Sequence, residues 1–222
     1  MRPTPIAGPT PPHRRASATR SLDWWIGLLF AIGSVGFALG AFPYVAPRAD
    51  PTAVGITFFV GSIFFTCAAG TQLAQALIGG GWLDRLATAI QFVGTLFFNW
   101  TTLAGLNDAL DTQERIHRVW APDAVGSICF LVASYVAIVA LCGRPWCRRR
   151  GDTPWRIAML NMVGSVFFGI SAITSFILPE TGEVLNADAT NATTFLGAVC
   201  FLAGGLLLMP RLGRARALPA AG

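Results

Sequence analysis

Side chains that could do acid–base or nucleophilic chemistry are few in this sequence of 222 residues. The two histidines are His13 and His117, and neither lies in a metalloprotease motif such as H-E-x-x-H. A proton or metal site that combines His117 with Asp108 or Asp111 is an alternative, but this spacing does not put both carboxylates and the imidazole on one helical face. The sequence contains neither a P-loop nor a dinucleotide-binding fingerprint. We therefore expect no enzymatic activity and no cofactor.

The five cysteines fall into two groups. Cys67, Cys129 and Cys200 lie within apolar runs, where a thiol is commonly a small packing residue. Cys142 and Cys147 lie beside a cluster of arginines. An odd count, the absence of C-x-x-C spacing and the absence of cysteine from the predicted outer loops indicate neither a disulfide framework nor a zinc site. Attachment of a lipid chain is the alternative role for the second group.

Uncharged polar side chains within the apolar runs form a candidate polar site. They are Gln72, Gln75, Gln91, Asn99, Tyr135 and Asn161. Hydrogen bonds between helices, worth about 0.6 kcal/mol each, are one interpretation of these residues. The other is a polar cavity for a small neutral solute or a lipid headgroup, which the matching positions of Gln91 and Asn161 in their segments favour.

The composition indicates which kind of protein must hold these groups. Hydrophobic residues make up 54% of the chain and charged residues 12%, with a mean hydropathy of +0.58. Soluble domains contain roughly 25% charged residues. This balance excludes a disordered protein, a disulfide-rich secreted domain and a basic nucleic-acid-binding module, because each needs more polar surface. The chain is therefore expected to be an integral membrane protein that does not bind nucleic acid.

Six apolar runs are long enough to cross a bilayer as helices, which takes about 20 residues each. They cover residues 24–42, 54–78, 86–106, 124–141, 157–178 and 192–209. None of them contains Asp, Glu, Lys, Arg or His. The sequence thus predicts an all-α membrane protein with six transmembrane helices, and a short interfacial helix capped by Asn107 between the third and the fourth.

The placement of arginine predicts the orientation in the membrane. All sixteen basic residues are arginine, and thirteen of them lie on the side of the two chain ends. Basic residues accumulate in cytoplasmic loops, so we expect both termini in the cytoplasm. Residues 1–22, rich in proline, and 212–222 are expected to be cytoplasmic tails, the first of them disordered. The first apolar run is too long for a signal peptide and is expected to remain as a signal anchor.

One short motif occurs in all six predicted helices: an aliphatic residue, Gly, a small residue, an aliphatic residue, any residue, then Phe. Its glycines and phenylalanines are Gly33 and Phe37, Gly61 and Phe65, Gly94 and Phe98, Gly126 and Phe130, Gly164 and Phe168, and Gly197 and Phe201. Residues four apart lie on one helical face, so the glycine leaves a notch that a ring can fill. Helices in lipid associate through close approach at small residues. We interpret the motif as a packing device, with a glycine-lined substrate path as the alternative.

Alternate helices resemble one another more than neighbouring helices do. Residues 77–82 and 141–146 share the exit sequence Leu-x-Gly-x-x-Trp. This similarity predicts three tandem two-helix hairpins at 23–81, 82–146 and 147–211. Successive hairpins then have the same orientation and are related by an axis along the membrane normal. Two inverted three-helix halves are the alternative.

The third hairpin carries a resemblance to a known family. The Gly-Ser-Val-Phe-Phe at 164–168, followed by Phe195-Leu196-Gly197 and a basic exit at 208–211, resembles the YrhK-like family of small bacterial membrane hairpins. Residues 32–72 are similar, and Ala198 stands where the family pattern has Ser. The resemblance implies a bacterial cytoplasmic membrane protein, without an activity, cofactor or catalytic residue to carry over.

We expect from these patterns a non-enzymatic scaffold or accessory protein of the bacterial inner membrane. Its partners would be membrane lipids and another membrane protein or a second copy of the chain. A small channel or facilitator for an uncharged solute or lipid headgroup is the alternative. Candidate contacts for anionic lipid are Arg144, Arg148, Arg149 and Arg150.

Overall fold

The computed structural model describes residues 12–43, 48–149 and 151–209. Within these ranges the chain is helical and has no strand, and Ile177 and Val184 form an isolated antiparallel bridge. The helices are α1 (Pro12–Gly40), α2 (Pro51–Gly79), α3 (Trp82–Ala104), α4 (Thr112–Cys142), α5 (Thr153–Thr174) and α6 (Ala187–Leu208).

Five of these helices, α1, α2, α4, α5 and α6, contain a stretch long and apolar enough to cross a membrane. The all-helical fold and these apolar helices agree with the expected class of protein. The remaining long helix, α3, is not among the five. It carries Asp84 and Arg85 near its start, and Gln91 and Asn99 further along, which lower its hydropathy.

Two boundaries differ from the sequence expectation for physical reasons. Helix α1 begins at Pro12, so the part of the expected disordered tail from residue 12 to 22 is helical instead. The prolines of the tail end at Pro12, which is the position where a helix tolerates proline, and no proline or glycine follows before residue 27. Residues 1–11 and the expected tail at 212–222 lie outside the described ranges.

Helix α4 is longer than expected and absorbs most of the predicted interfacial helix. Its cap is Asp111, whose carboxylate accepts from the Glu114 N–H at 2.8 Å while Glu114 accepts from the Asp111 N–H at 3.3 Å. Asn107 accepts from the Ala109 N–H instead. A π-helical turn at Ile116–Trp120 precedes Pro122, which has no N–H and whose ring would clash with the carbonyl four residues back.

The six helices form a closed ring. Each helix packs against its neighbours in the chain, and α6 packs against α1. The buried residues common to all six helices are the small residues and phenylalanines of the repeated motif. The ring therefore has a core mainly of glycine, serine, threonine, alanine and aromatic residues, with Ile26 and Ile138 also buried, while most large aliphatic side chains face outward.

Candidate functional site

The repeated motif has the same burial in every helix. Its glycine, the small residue after it and its phenylalanine are buried in all six copies, while both aliphatic residues are exposed. In α5, for example, Gly164, Ser165 and Phe168 are buried, whereas Val163 and Val166 are exposed. The aliphatic positions thus present the surface expected to contact lipid, and the small positions face other helices.

Glycines and rings are exchanged within each pair of consecutive helices. A Cβ atom on Gly33 of α1 would lie 2.6 Å from Cδ2 of Phe65 in α2, and one on Gly61 of α2 would lie 3.1 Å from Cδ2 of Phe37 in α1. Helices α3 and α4 make the same exchange, as do α5 and α6: Gly94 with Phe130, Gly126 with Phe98, Gly164 with Phe201 and Gly197 with Phe168. In each pair, the motif glycine of either helix leaves space for the motif phenylalanine of the other.

The six phenylalanines meet at the centre of the ring in two triangles. In the triangle of Phe37, Phe98 and Phe168 the ring centroids are 6.2, 6.0 and 5.9 Å apart. The second triangle consists of Phe65, Phe130 and Phe201, with centroid separations of 6.3, 5.8 and 5.5 Å. Each helix pair contributes one ring to each triangle, and the centroids of these two rings are 5.1 to 5.4 Å apart. These separations are those of favourable aromatic packing.

A cavity of about 820 Å³ lies at the end of the bundle where α2 ends and α3 begins. We call this end the arginine-rich end, because it also carries Arg144, Arg148 and Arg149 after α4 and Arg156 in α5. Four of the candidate polar residues line the cavity: Gln72, Gln75, Gln91 and Asn161. They are joined by Asp84 and Thr88 of α3 and by Ser134 of α4.

The deep end of this cavity reaches the phenylalanine cluster. A smaller space of about 50 Å³ shares Gln72, Gln91 and Asn161 with the large cavity and is also lined by Phe30 and Phe201. Gln91 and Asn161 each lie three residues before the motif glycine of their helix. Phe30 holds the same position in α1, so an aromatic ring closes the side of the cavity where the other two helices contribute amides.

One amide oxygen in the cavity lacks a hydrogen-bond partner. Gln75 donates from Nε2 to Oδ1 of Asp23 at 2.7 Å. Ser134 and Ser165 share a hydrogen bond of 2.9 Å between their hydroxyl groups. By contrast, Oε1 of Gln72 is buried and unpaired. A buried acceptor without a donor costs roughly 1–3 kcal/mol, so the protein gains when a donor occupies this place.

The remaining two residues of the candidate polar site lie elsewhere. Tyr135 is exposed on the outside of α4, and neither it nor Asn99 lines the cavity. The Asn99 oxygen Oδ1 and the Ser34 hydroxyl are buried without a partner, as in Gln72. Sequence reasoning missed Asp23 and Asp84, because both lie just outside the apolar runs that defined the predicted helices.

The cysteines at the arginine-rich end are joined to each other. Cys142 and Cys147 form a disulfide with a Cα–Cα distance of 5.6 Å, so the expectation that no disulfide forms is wrong for this pair. Gly143, in the left-handed conformation at φ 67°, ends α4 and turns the chain back so that the two cysteines can meet. Trp155 of α5 donates from Nε1 to the Cys147 carbonyl at 2.9 Å. In this disulfide-bonded form the pair has no thiol for attachment of a lipid chain.

The candidate lipid-binding arginines surround this disulfide. Arg144, Arg148 and Arg149 are exposed, whereas Arg150 lies outside the described residues. Trp146 is exposed as well. The connection between α4 and α5 therefore presents at least three guanidinium groups and an indole to its surroundings.

An apolar groove of about 460 Å³ lies between α4 and α5, away from the cavity. Its walls include Trp120, Ile128 and Ile173, and Gly169 contributes to it. Trp120 is held there by a hydrogen bond of 2.9 Å from its Nε1 to the Ala172 carbonyl and by packing against Phe176. No metal-binding cluster of three or more His, Cys, Asp or Glu side chains occurs among the described residues.

Comparison of the chain with protein-family models, with curated proteins and with solved structures finds no match. The resemblance to the YrhK-like family therefore stays a prediction.

Proposed function

We propose that the chain is a non-enzymatic, multi-pass protein of the bacterial inner membrane, with six spans arranged as three tandem hairpins and both termini in the cytoplasm. The reciprocal notches within α1–α2, α3–α4 and α5–α6 support the hairpin as the repeated unit, because the same exchange recurs in each pair. The two phenylalanine triangles support an axis along the membrane normal, because each takes one ring from every hairpin. The less apolar α3 is covered by α2 and α4 on its two sides.

The function that the geometry supports best is binding of a small polar solute in the cavity, as the first step of its facilitated passage through the membrane. The observation that carries this proposal is the unpaired oxygen Oε1 of Gln72, which is buried beside Gln91 and Asn161. A packing role alone would favour an apolar residue there, since an unpaired buried amide destabilises the fold. A ligand that donates to this oxygen removes that cost.

Passage beyond the cavity requires the phenylalanine cluster to move. The rings stand between the cavity and the opposite end of the bundle, and the cavity ends at Phe30 and Phe201. Phenylalanine side chains can change rotamer without breaking hydrogen bonds, so the cluster suits a barrier that opens transiently. The six apolar runs contain no Asp, Glu, Lys, Arg or His, which argues against an ion-coupled carrier, since an intramembrane proton or ion relay would place several ionisable groups along the axis.

Native mass spectrometry of the purified full chain in lipid nanodiscs tests this proposal. We expect a small polar solute to copurify with the wild-type protein and with the variant Gln113→Leu, which alters an exposed glutamine. We expect the Gln72→Leu variant to lose that solute. Equal solute content in the Gln72→Leu and Gln113→Leu proteins, or none in any of them, would contradict a binding role for the cavity.

The second candidate function is a scaffold that holds another membrane protein. The groove between α4 and α5 favours it, because its walls are apolar and include the exposed Ile173. Filling the groove by Ile173→Trp should then release a protein that copurifies with the wild type. Retention of the same partner by this variant would exclude the groove as the binding surface.

A further inference from the structure

The charged groups at the cavity are predominantly acidic. Asp84 is the charged residue in its lining, and the hydrogen bond from Gln75 holds Asp23 at its rim. Arg85 also lies at the cavity wall, because its Nε donates to the carbonyl of the lining residue Ala76 at 3.3 Å. Arg144, Arg148 and Arg149 of the α4–α5 connection do not line the cavity. Among the described side chains at the cavity itself, two carboxylates therefore stand against one guanidinium.

The deep end of the cavity offers an acceptor and aromatic faces. Oε1 of Gln72 is buried and needs a donor, and the amide groups of Gln91 and Asn161 lie beside it, with Asn161 Oδ1 directed at Gly204 in the same lining. Phe30 and Phe201 close the same space. An ammonium group donates three hydrogen bonds and accepts none, and aromatic faces attract cations. Amide oxygens and rings together thus match an ammonium group better than a carboxylate or a hydroxyl group.

We propose that the solute is a small organic cation with N–H donors, a primary ammonium compound, which enters past Asp23 and Asp84 and donates to Gln72. This inference rests on the proposed solute-binding function and names the class of solute. A cavity of about 820 Å³ falls within the range of roughly 300–1,000 Å³ that is usual for small-molecule sites, so there is room for the carbon skeleton as well as the ammonium group. An anion would meet two carboxylates at the entrance, against the one guanidinium of Arg85, which already donates to the Ala76 carbonyl.

Three four-carbon probes that differ in charge test the proposal: n-butylammonium, n-butyramide and n-butyrate. Each is titrated by calorimetry into the full chain in nanodiscs of zwitterionic phosphatidylcholine, which supplies no net lipid charge. We expect n-butylammonium to bind at least about tenfold more tightly than n-butyramide, and n-butyrate not to bind, because hydrogen bonds to a charged group are the stronger ones.

Two variants separate the contributions of the acceptor and of the charge. Gln72→Leu should weaken binding of n-butylammonium about tenfold or more, since it removes the buried acceptor. Asp23→Asn keeps an oxygen for the Gln75 hydrogen bond and removes only the charge, so it should weaken n-butylammonium and leave n-butyramide unchanged. The exposed residues Gln113 and Asp108 provide the matched controls Gln113→Leu and Asp108→Asn, which should bind like the wild type.

The outcomes distinguish the two proposals. Binding of n-butyramide or n-butyrate as tight as that of n-butylammonium, lost in Gln72→Leu, would overturn the cationic class and leave solute binding in place. The same n-butylammonium affinity in Asp23→Asn and the wild type would also overturn the class. No binding of any probe, together with no copurifying solute, would overturn both.

Discussion

At each of the six motif glycines, a ring or a carbonyl of the partner helix occupies the space where a side chain would stand. A Cβ on Gly164 would lie 2.9 Å from two carbon atoms of Phe201 and 3.1 Å from the Gly197 carbonyl oxygen. A Cβ on Gly79, at the end of α2, would meet nothing within 4 Å. Replacing these two helical glycines by alanine therefore separates two effects on stability. Both changes reduce the freedom of the unfolded backbone, but only the one at Gly164 creates a close contact.

Gly164→Ala should lower the midpoint of thermal unfolding in detergent, because overpacking of a tight contact costs about 1–3 kcal/mol. Gly79→Ala should leave the midpoint unchanged or raise it slightly, since alanine stabilises an unhindered helical position. The comparison is made by circular dichroism under identical detergent conditions. Equal midpoints for the two variants would show that the α5–α6 contact is not tight.

The unpaired oxygen of Gln72 leads to a prediction of the opposite sign. In the absence of solute, Gln72→Leu should raise the unfolding midpoint, because it removes a buried acceptor that costs about 1–3 kcal/mol. The exposed Gln113→Leu should change stability by less than about 0.5 kcal/mol. A gain of stability with a loss of binding is typical of a functional residue. A destabilised Gln72→Leu protein would instead indicate a structural amide.

Sequence reasoning reached the glycines and rings but only part of the cavity. Their fixed spacing repeats six times, so a common burial could be predicted without knowledge of which helices meet. The Gln and Asn side chains of the cavity, by contrast, do not belong to a repeated motif. Which of them lie together depends on the order of the helices around the ring. Gln91 and Asn161 share a register position, which placed them together, whereas Tyr135 lies on the exposed side of α4.

Among the helices, α4 shows why apolarity alone misplaces boundaries. The apolar run starts at residue 124, but the helix begins at Thr112 because Asp111 and Glu114 form a reciprocal cap. The sequence shows this cap, because an acid stands three residues before a second acid. The π-helical turn could not be predicted in the same way. It accommodates Pro122 inside a helix that continues on both sides of the turn. Arg115, just before the turn, donates to the Gly182 carbonyl of the α5–α6 connection at 2.9 Å.

Among the residues whose exposure the structure describes, those between α4 and α5 have the highest density of exposed positive charge, with Arg144, Arg148 and Arg149. Each Arg near an anionic membrane surface contributes about 1 kcal/mol of attraction. We therefore expect anionic lipid to remain bound to the purified protein and to decrease when Arg148, Arg149 and Arg150 are changed to Gln. Lipid extraction and mass spectrometry measure this content.

The control for the lipid experiment changes charge at another place in the chain. Arg115→Gln and Arg118→Gln alter two cations beyond the opposite end of the bundle, near the start of α4. These substitutions should not reduce the anionic lipid content. The same content in the triple variant as in the wild type would leave the cluster without a lipid-binding role.

For the whole molecule, the arrangement follows from the repetition of one small unit. The helix pairs α1–α2, α3–α4 and α5–α6 each bury two glycines against two rings, and together they bring six rings around one axis. A single pair would leave its phenylalanines uncovered, so these rings are covered only when all three pairs are present. The contact of α6 with α1 completes this arrangement, and the sequence analysis did not predict it. The cavity at one end of the bundle depends on residues that differ between the pairs, such as Phe30 at the position held by Gln91 and Asn161.

Two observations give opposite predictions for the orientation of the molecule in the membrane. Thirteen of the sixteen arginines lie on the side of the chain ends, which predicts a cytoplasmic location for the α4–α5 connection. The disulfide between Cys142 and Cys147 lies in that connection, and disulfides persist mainly outside the cytoplasm. Thirteen against three is a strong bias, and the reducing conditions of the cytoplasm would keep this pair as thiols in the cell. We therefore expect the arginine rule to prevail.

Reporter fusions and thiol trapping test the orientation together. Fusions at Gly151 and after Arg216 should report a cytoplasmic location, and fusions at Asp111 and Gly182 an external one. In cells quenched with acid and alkylated at once, Cys142 and Cys147 should be free thiols, and chymotryptic cleavage after Trp146, which lies between them, separates their peptides for mass spectrometry. The disulfide should then form when purified protein is left in air. An oxidised pair in quenched cells, together with an external fusion at Gly151, would reverse the orientation and place the cavity entrance outside the cell.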